Sequence, residues 1–515
     1  MGEKTSSSEH TDRRNDDAEY APPKSLKSSV VTGVKWKVLS QVLREGSRLG
    51  MGILLARLLA PAEWGLASMA LVVASLMTTL SDLSLAAALV QQPRITEEDR
   101  STMFWTCLAL GVGVTAVGVA GSGLVADFFG EPQLQVLFAV ASIAFIFNAI
   151  ERVPVALLVR DLAFRSFELR QLIATILGSA VAVVLAVLGA GAWAIIGNFL
   201  TVSIMSAILT WLITNWRPRL VFSWTSFRRL TSFGFAVFGS VLLVNVQTTA
   251  DRLLIGRFLG PSALGVYTFA NQLMYTPVLN VVFPLQAVLF PVLATIQAER
   301  NRMNAAWLRG KRLTVSIITP AFMTLLVVAP DLIPTIFGPR WEDSIPVLQL
   351  LCLGGVAYAL GTQNWNILMV LNKVGTLLRL TLLVTVTVVV AVLVGLPWGI
   401  VGVAASFAVA QWLLVTPEIW ITSQATGIGF GQTFRATCSP LPFAFTAGAG
   451  GYALRIALIA LEVPAFARVM LVAVFIVVAF LGLAYLGSTP LRQEIRQAVR
   501  SIRGRRIAAV VGPMA

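Results

Sequence analysis

Apolar stretches long enough to cross a bilayer, about 17 to 25 residues each, succeed one another along this chain and are separated by short polar breaks. The pattern predicts helices at 33–58, 64–90, 102–126, 134–159, 169–188 and 193–214, then at 233–255, 264–296, 313–337, 345–371, 377–394 and 398–420. Two more follow at 437–460 and 466–486. The expected fold is an all-α integral membrane protein of about 14 transmembrane helices. Residues 1–30 are polar and read as a disordered cytoplasmic tail without the short apolar core of a signal peptide. Residues 491–515 form a basic tail.

The polar breaks carry a repeat. ARLLAPAEWGL at 56–66 returns as GRFLGPSALGV at 256–266, aligning Arg57 with Arg257, Pro61 with Pro261 and Gly65 with Gly265. Phe129 and Gly130 after the third span match Phe337 and Gly338 after the ninth, and WAIIG at 193–197 matches WGIVG at 398–402. Landmarks in the same order at similar offsets indicate duplication of a six-span unit. The implied organisation is a first lobe at 31–215, a second at 216–421, and a further pair of spans at 422–490. Both copies start from the same side, so the repeats are parallel, and two such lobes enclose a central cavity. The repeated phrase marks the tight turn between the first two spans of each lobe, where Pro interrupts the helical ladder and Gly permits the bend.

Composition agrees with that reading. Of 515 residues, 57% are hydrophobic and only 12% charged, against about 25% charged in soluble domains. The formal net charge of +14 is distributed as a membrane protein's would be. Lys and Arg gather in alternate loops, including Arg160, Arg165 and Arg170, and Arg309, Lys311 and Arg312, while loops such as 189–192 and 395–398 lack them. By the positive-inside rule these basic loops and both termini are cytoplasmic, and nucleic acid is not the expected partner. Cys107, Cys352 and Cys438 lie in or beside apolar runs without metal spacing, and the one histidine, His10, sits in the tail. Neither a zinc site nor a Ser/His/Asp site is legible. Trp36, Trp64, Trp193, Trp341 and Trp398 near span ends suggest an interfacial belt.

Candidate chemistry lies where charges enter the apolar runs. Lys37, Gln41, Arg44 and Arg48 fall on one face of the first span. An intramembrane arginine faces water or a partner rather than lipid, so Arg44 and Arg48 read either as a cationic cavity wall or as a helix contact balanced by Glu45. The seventh span carries Asp251 and Arg252, and the eighth carries Asn271 and Tyr275 with Pro277, Pro284 and Pro291 at seven-residue intervals that should bend it. Glu151 and Arg152 in the fourth span, Asp82 in the second and Asn364 in the tenth complete the polar interior. Candidate substrate contacts are therefore Arg44, Arg48, Arg152, Arg252, Asn271, Tyr275 and Asn364. Glu45, Asp82, Glu151 and Asp251 are candidates for coupling to H+ or Na+; for Asp82 and Glu151 the alternative is pairing with Arg44, Arg48 or Arg152. No cofactor or metal is expected.

GVKWKVLSQVLREGSRLGMGILLARLLAPAEWGLASMALV, LSDLSLAAALVQQPRITEED and ADRLLIGRFLGPSALGVYTFANQL together resemble the polysaccharide-transport (Wzx-type) branch of the multidrug/oligosaccharidyl-lipid/polysaccharide exporter superfamily. The resemblance implies a flippase that moves undecaprenyl-diphosphate-linked oligosaccharide across a bacterial inner membrane, for exopolysaccharide, capsule or O-antigen synthesis. Arg44 and Arg48 would then face the cavity and hold the diphosphate, with polymerase and chain-length machinery as downstream partners. A multidrug antiporter of the same superfamily is the alternative, although its cationic drugs call for an acidic cavity. A glycan polymerase or ligase is a third reading, and its expected sizeable outer loop is missing from the pattern.

Overall fold

The computed structural model describes residues 26–82, 89, 92, 95–161, 163–494 and 496, without side-chain placements at 26–40, 42, 81, 82, 164, 232–237 and 240. All regular structure among them is helical. The first half comprises α1 (Leu26–Leu58), α2 (Pro61–Asp82), α3 (Glu97–Ala120), α4 (Ser122–Phe129), α5 (Gln133–Ser142), α6 (Ala144–Arg160), α7 (Phe164–Val187) and α8 (Trp193–Ile213). The second comprises α9 (Trp224–Pro277), α10 (Phe283–Thr295), α11 (Arg300–Leu332), α12 (Ser344–Gly361), α13 (Asn364–Val370), α14 (Val374–Gly395) and α15 (Gly399–Thr426). α16 (Phe430–Cys438), α17 (Leu441–Ala460) and α18 (Ala465–Gly487) follow.

Among the described residues eleven stretches are long and apolar enough to cross a membrane, and two of them, at 241–295 and 374–426, are 55 and 53 residues long. At 1.5 Å per residue each of those two is about twice the length one crossing needs, so each holds two spans. With the charge-bearing α1 the total reaches the expected 14.

Local chemistry explains the breaks. Pro61 opens α2, and Glu63 Oε2 accepts a hydrogen bond from Ala60 N at 2.8 Å, satisfying an amide at the helix start. At the same place in the second copy, Gly260 breaks α9 at φ 81° and ψ −177°, a conformation open to glycine and not to residues with a Cβ. Pro277 and Pro284 flank a π-helical turn at Val278–Val282, so the proline-rich eighth span bends by a wide turn. α9 and α11 begin at Trp224 and Arg300, well before the expected starts at 233 and 313, because amphipathic turns precede their apolar parts. Arg309, Lys311 and Arg312, read as loop charges, thus belong to a helix.

Packing within each half is by long neighbouring helices: α1 on α7 and α7 on α8 in the first, α12 on α15 and α14 on α15 in the second. α17 and α18 pack on α11. Where the first half meets the start of α9, the side chain of Thr96 accepts from Asp99 N and Asp99 Oδ2 accepts from Thr96 N, a reciprocal helix cap. Asp99 Oδ1 also accepts from Arg229 Nη2 at 2.6 Å. Asp99→Ala removes the N3 half of that cap and the ion pair, and is expected to cost about 1–2 kcal/mol, read as a fall of about 1–2 °C in melting temperature. An unchanged melting temperature contradicts the capping role.

Candidate functional site

The two copies of the repeated phrase meet each other. α2 lies along α9, and the meeting point is Gly65 against Gly265. A Cβ on Gly65 would overlap the carbonyl oxygen of Pro261, and a Cβ on Gly265 would overlap that of Pro61. Only two bare backbones fit there. One turn further along, Ser68 Oγ and Thr268 Oγ1 are 3.2 Å apart. Every partner in this contact is separated by about the same 200 positions, so the interface is self-complementary, as in a symmetric dimer built within one chain.

The flanking arginines complete the exchange. Arg57 donates from Nε to Ile336 O and from Nη2 to Thr335 O, both at 2.8 Å, next to Phe337 and Gly338. Arg257 lies over the ring of Phe128, 5.8 Å from its centroid, next to Phe129 and Gly130. Each arginine therefore reaches the landmark corner of the opposite half. Trp341 Nε1 donates to Ala56 O at 2.6 Å, and Trp64, Phe269, Phe337 and Trp341 form an aromatic cluster across the seam. Trp64 and Trp341 are buried at 8% and 0% exposure, which corrects their assignment to an interfacial belt. Trp193 and Trp398 are exposed, as that belt requires.

Away from this clasp the charges are arranged differently. Arg44 Nη1 donates to Glu168 Oε2 of α7 at 2.5 Å, while Arg48 contacts Glu45 at 3.3 Å and keeps 60% of its side chain exposed. Glu45 thus balances Arg48 alone. Glu151 pairs with Arg170 at 2.8 Å and accepts from Thr210, not with Arg44, Arg48 or Arg152. Arg152 is part-buried and engaged. The side chain of Asp82 lies outside the described residues.

Asp251 Oδ2 accepts from Tyr267 Oη at 2.8 Å and Oδ1 from Arg252 N, while Arg252 Nε is buried without a hydrogen-bond partner. Asn271 is buried. Tyr275 faces Tyr358 with ring centroids 6.0 Å apart. Asn364 is also buried, its Oδ1 accepting from Lys311 Nζ at 2.9 Å and its Nδ2 donating to Glu418 Oε2 at 3.0 Å. Both ends of that amide are occupied, so Asn364 organises the second half's interior. Glu168, Arg170, Lys311 and Glu418 are the partners that sequence reasoning missed.

Comparison with known proteins agrees with this architecture. A family model described as polysaccharide biosynthesis protein matches residues 54–346. The lipopolysaccharide biosynthesis protein WzxC of Escherichia coli is 27% identical over 390 residues, covering 75% of this chain and 79% of that protein. The succinoglycan biosynthesis transport protein ExoT of Rhizobium meliloti is 28% identical over 325 residues, covering 63% and 66%. Among solved structures, the lipid II flippase MurJ in an inward closed conformation matches with a TM-score of 0.68 at 13% identity, over 88% of this chain and 99% of that one.

Proposed function

We propose, from the premise that this chain belongs to the polysaccharide biosynthesis protein family, that it is a flippase carrying lipid-linked oligosaccharide across the bacterial inner membrane. The names of two relatives concern lipopolysaccharide synthesis and succinoglycan transport, which supports a glycan cargo for surface polysaccharide. In this reading residues 31–215 and 216–421 are the two moving bodies, and 422–490 an appendage. Both termini and the basic loops face the cytoplasm, which puts the clasp at the outer surface. The protein moves its cargo without making or breaking covalent bonds, and hands it to polymerising and chain-length machinery outside.

The observation that carries the proposal is a contrast along α1, between its clasp end at Ala56 and Arg57 and the turns that hold Arg44 and Arg48. The clasp end is sealed by bare backbone and buried aromatics, whereas Arg48 stands largely exposed further along α1 beside the neutralised Arg44. A diphosphate entering a water-poor seam needs a guanidinium that is not already spent on a buried carboxylate. Arg48 fits that need, while Arg44, already paired with Glu168, orients the helix and adds field. Arg152 and Arg252 extend the cationic surface in this reading, with Asn271 and Tyr275 nearer the glycan. The isoprenoid tail stays in lipid between the lobes.

The test is reconstitution in vesicles with undecaprenyl diphosphate bearing a fluorescent oligosaccharide. Wild type is expected to equilibrate it between leaflets. Arg48→Ala removes a charge-assisted contact of about 1.5–3 kcal/mol, and its initial rate is expected to fall by roughly 10-fold or more. A wild type that leaves the lipid unflipped contradicts the carrier reading. A double Arg44→Ala/Arg48→Ala variant at wild-type rate contradicts the diphosphate site.

A further inference from the structure

The interior of the second half holds ionisable groups that the cargo reading does not use. Lys311 on α11 is fully buried at 0% exposure, lies over the Trp307 ring at 5.2 Å, and donates to Asn364. Asn364 donates in turn to Glu418 on α15, a carboxylate only partly covered and pressed against Gly361, where a Cβ would overlap it. An amide thus holds an ammonium and a carboxylate on opposite sides, joining α11, α12–α13 and α15.

From Glu418 the polar groups continue toward the clasp. Tyr358 stands one turn before Gly361, against which Glu418 is pressed, and faces Tyr275 of α9 with ring centroids 6.0 Å apart. Asp251 holds Tyr267, which is two residues from Gly265. Counting 1.5 Å per residue from the clasp ends of their helices, Asp251 lies about 14 Å deep, Tyr275 and Tyr358 about 20 Å, Glu418 about 28 Å and Lys311 about 32 Å. The groups therefore form a file that descends through one lobe.

Other ionisable groups on the elements around the pair are accounted for. The half-buried Cys438 stands on α16, Arg312 pairs with Glu494, and Arg309 is engaged. Lys373 donates to Ala425 O, while Arg379 and Arg435 are exposed.

We propose that Glu418, held through Asn364 to Lys311, is a proton-binding site whose loading loosens the clasp. The proposal rests on the carrier reading for its role and names the coupling ion. Lys311 is a cation covalently fixed where a free Na+ would have to sit, so the ion exchanged is H+. In the unloaded state, carboxylate and ammonium attract across the amide and draw three helices together. A proton arriving from the clasp side adds to the Glu418 carboxylate, and the Lys311 ammonium is left without compensating charge in the lobe interior. That state is disfavoured in low dielectric. The helices separate, the strain passes through Tyr358, Tyr275 and the Asp251–Tyr267 contact to Gly265, and the proton leaves to the cytoplasmic side as the seam resets. No other bond forms or breaks.

The experiment is a distance measurement across the clasp. Spin labels at Gln135→Cys and Asp343→Cys, both exposed positions, are placed in the full chain with Cys107, Cys352 and Cys438 changed to Ala. Distances are recorded between pH 5.5 and 8.5, in Na+ and in Na+-free buffer. The open-to-closed ratio is expected to rise as pH falls, by up to tenfold per pH unit for one proton, and to ignore Na+. Glu418→Gln should abolish the pH response. Should that variant fold poorly, Lys311→Met/Glu418→Gln removes both charges together and should be equally insensitive. A pH-invariant wild type, a Na+-driven shift, or a normal pH response in either variant overturns the site. Labelled-lipid exchange in vesicles without a gradient separates the two readings: a pH-responsive clasp with no exchange sinks the carrier and leaves the proton site, and the converse does the opposite.

Discussion

Replacing Gly65 with alanine is expected to hold the two lobes apart at the clasp and to cut flipping by roughly 5-fold or more. The added Cβ would fall within the Pro261 carbonyl oxygen and 3.0 Å from Gly265 N. Neither neighbour is a flexible side chain that can swing aside, so one backbone must retreat from the other. Overpacking of this kind costs about 1–3 kcal/mol, which shifts a closed-to-open ratio roughly 5- to 150-fold, since 1.4 kcal/mol is tenfold. Gly265→Ala should act equally, because a Cβ there would meet Pro61 in the same way. The double variant should be little worse than either single one, since the first substitution already opens the gap that the second needs. Labels at Gln135→Cys and Asp343→Cys would report a widened distance, and labelled-glycan flipping the loss of rate. Independent, additive effects would show that the glycines do not share one contact.

That contact illustrates what the sequence makes legible. The duplicated Arg, Pro and Gly positions were visible because each copy needs the same turn. Their mutual contact was not, since a repeat gives the spacing of its copies and says nothing about which faces meet. In the sequence Arg57 and Arg257 simply stand beside their own turns; in the structure each reaches the opposite half.

The buried cations failed for a different reason. Lys311 and Arg170 stand in basic runs that resemble loop charges. Yet Met303, Trp307, Lys311 and Thr314 recur at helical spacing and are all buried. That stripe was the available signal. Glu418 had a plainer one, as a lone carboxylate in an apolar span. Conversely, Arg44, Arg48 and Glu45 were recognised as one constellation, but Glu168 had to be supplied by a helix far along the chain. Tertiary pairing of that kind leaves no local pattern.

Asp331→Asn is expected to destabilise the second half strongly. Its Oδ2 accepts from Arg455 Nε of α17 and its Oδ1 from Arg468 Nη2 of α18, both at 2.5 Å. The carboxylate is 6% exposed and the arginines 15% and 19%. Asparagine keeps the shape and one acceptor but leaves two half-buried guanidinium groups without a counter-charge. Removing one partner of a buried ion pair costs about 3–5 kcal/mol, and here one carboxylate serves both cations. At the other end of α11, Arg312 Nη2 meets Glu494 Oε1 at 2.6 Å. The last two spans are therefore fastened to α11 at both ends. Asp331→Asn releases one fastening only. The expected result is a large fall in melting temperature in detergent, accompanied by new labelling of a cysteine placed at buried Val469, while a cysteine at buried Leu491, beside the intact Arg312–Glu494 pair, stays protected. A stable variant with both positions protected would show that apolar packing of α17 and α18 suffices. Restoring the melting temperature with Arg455→Leu/Arg468→Leu beside Asp331→Asn would confirm that unpaired charge, and not lost packing, is what destabilises the single variant.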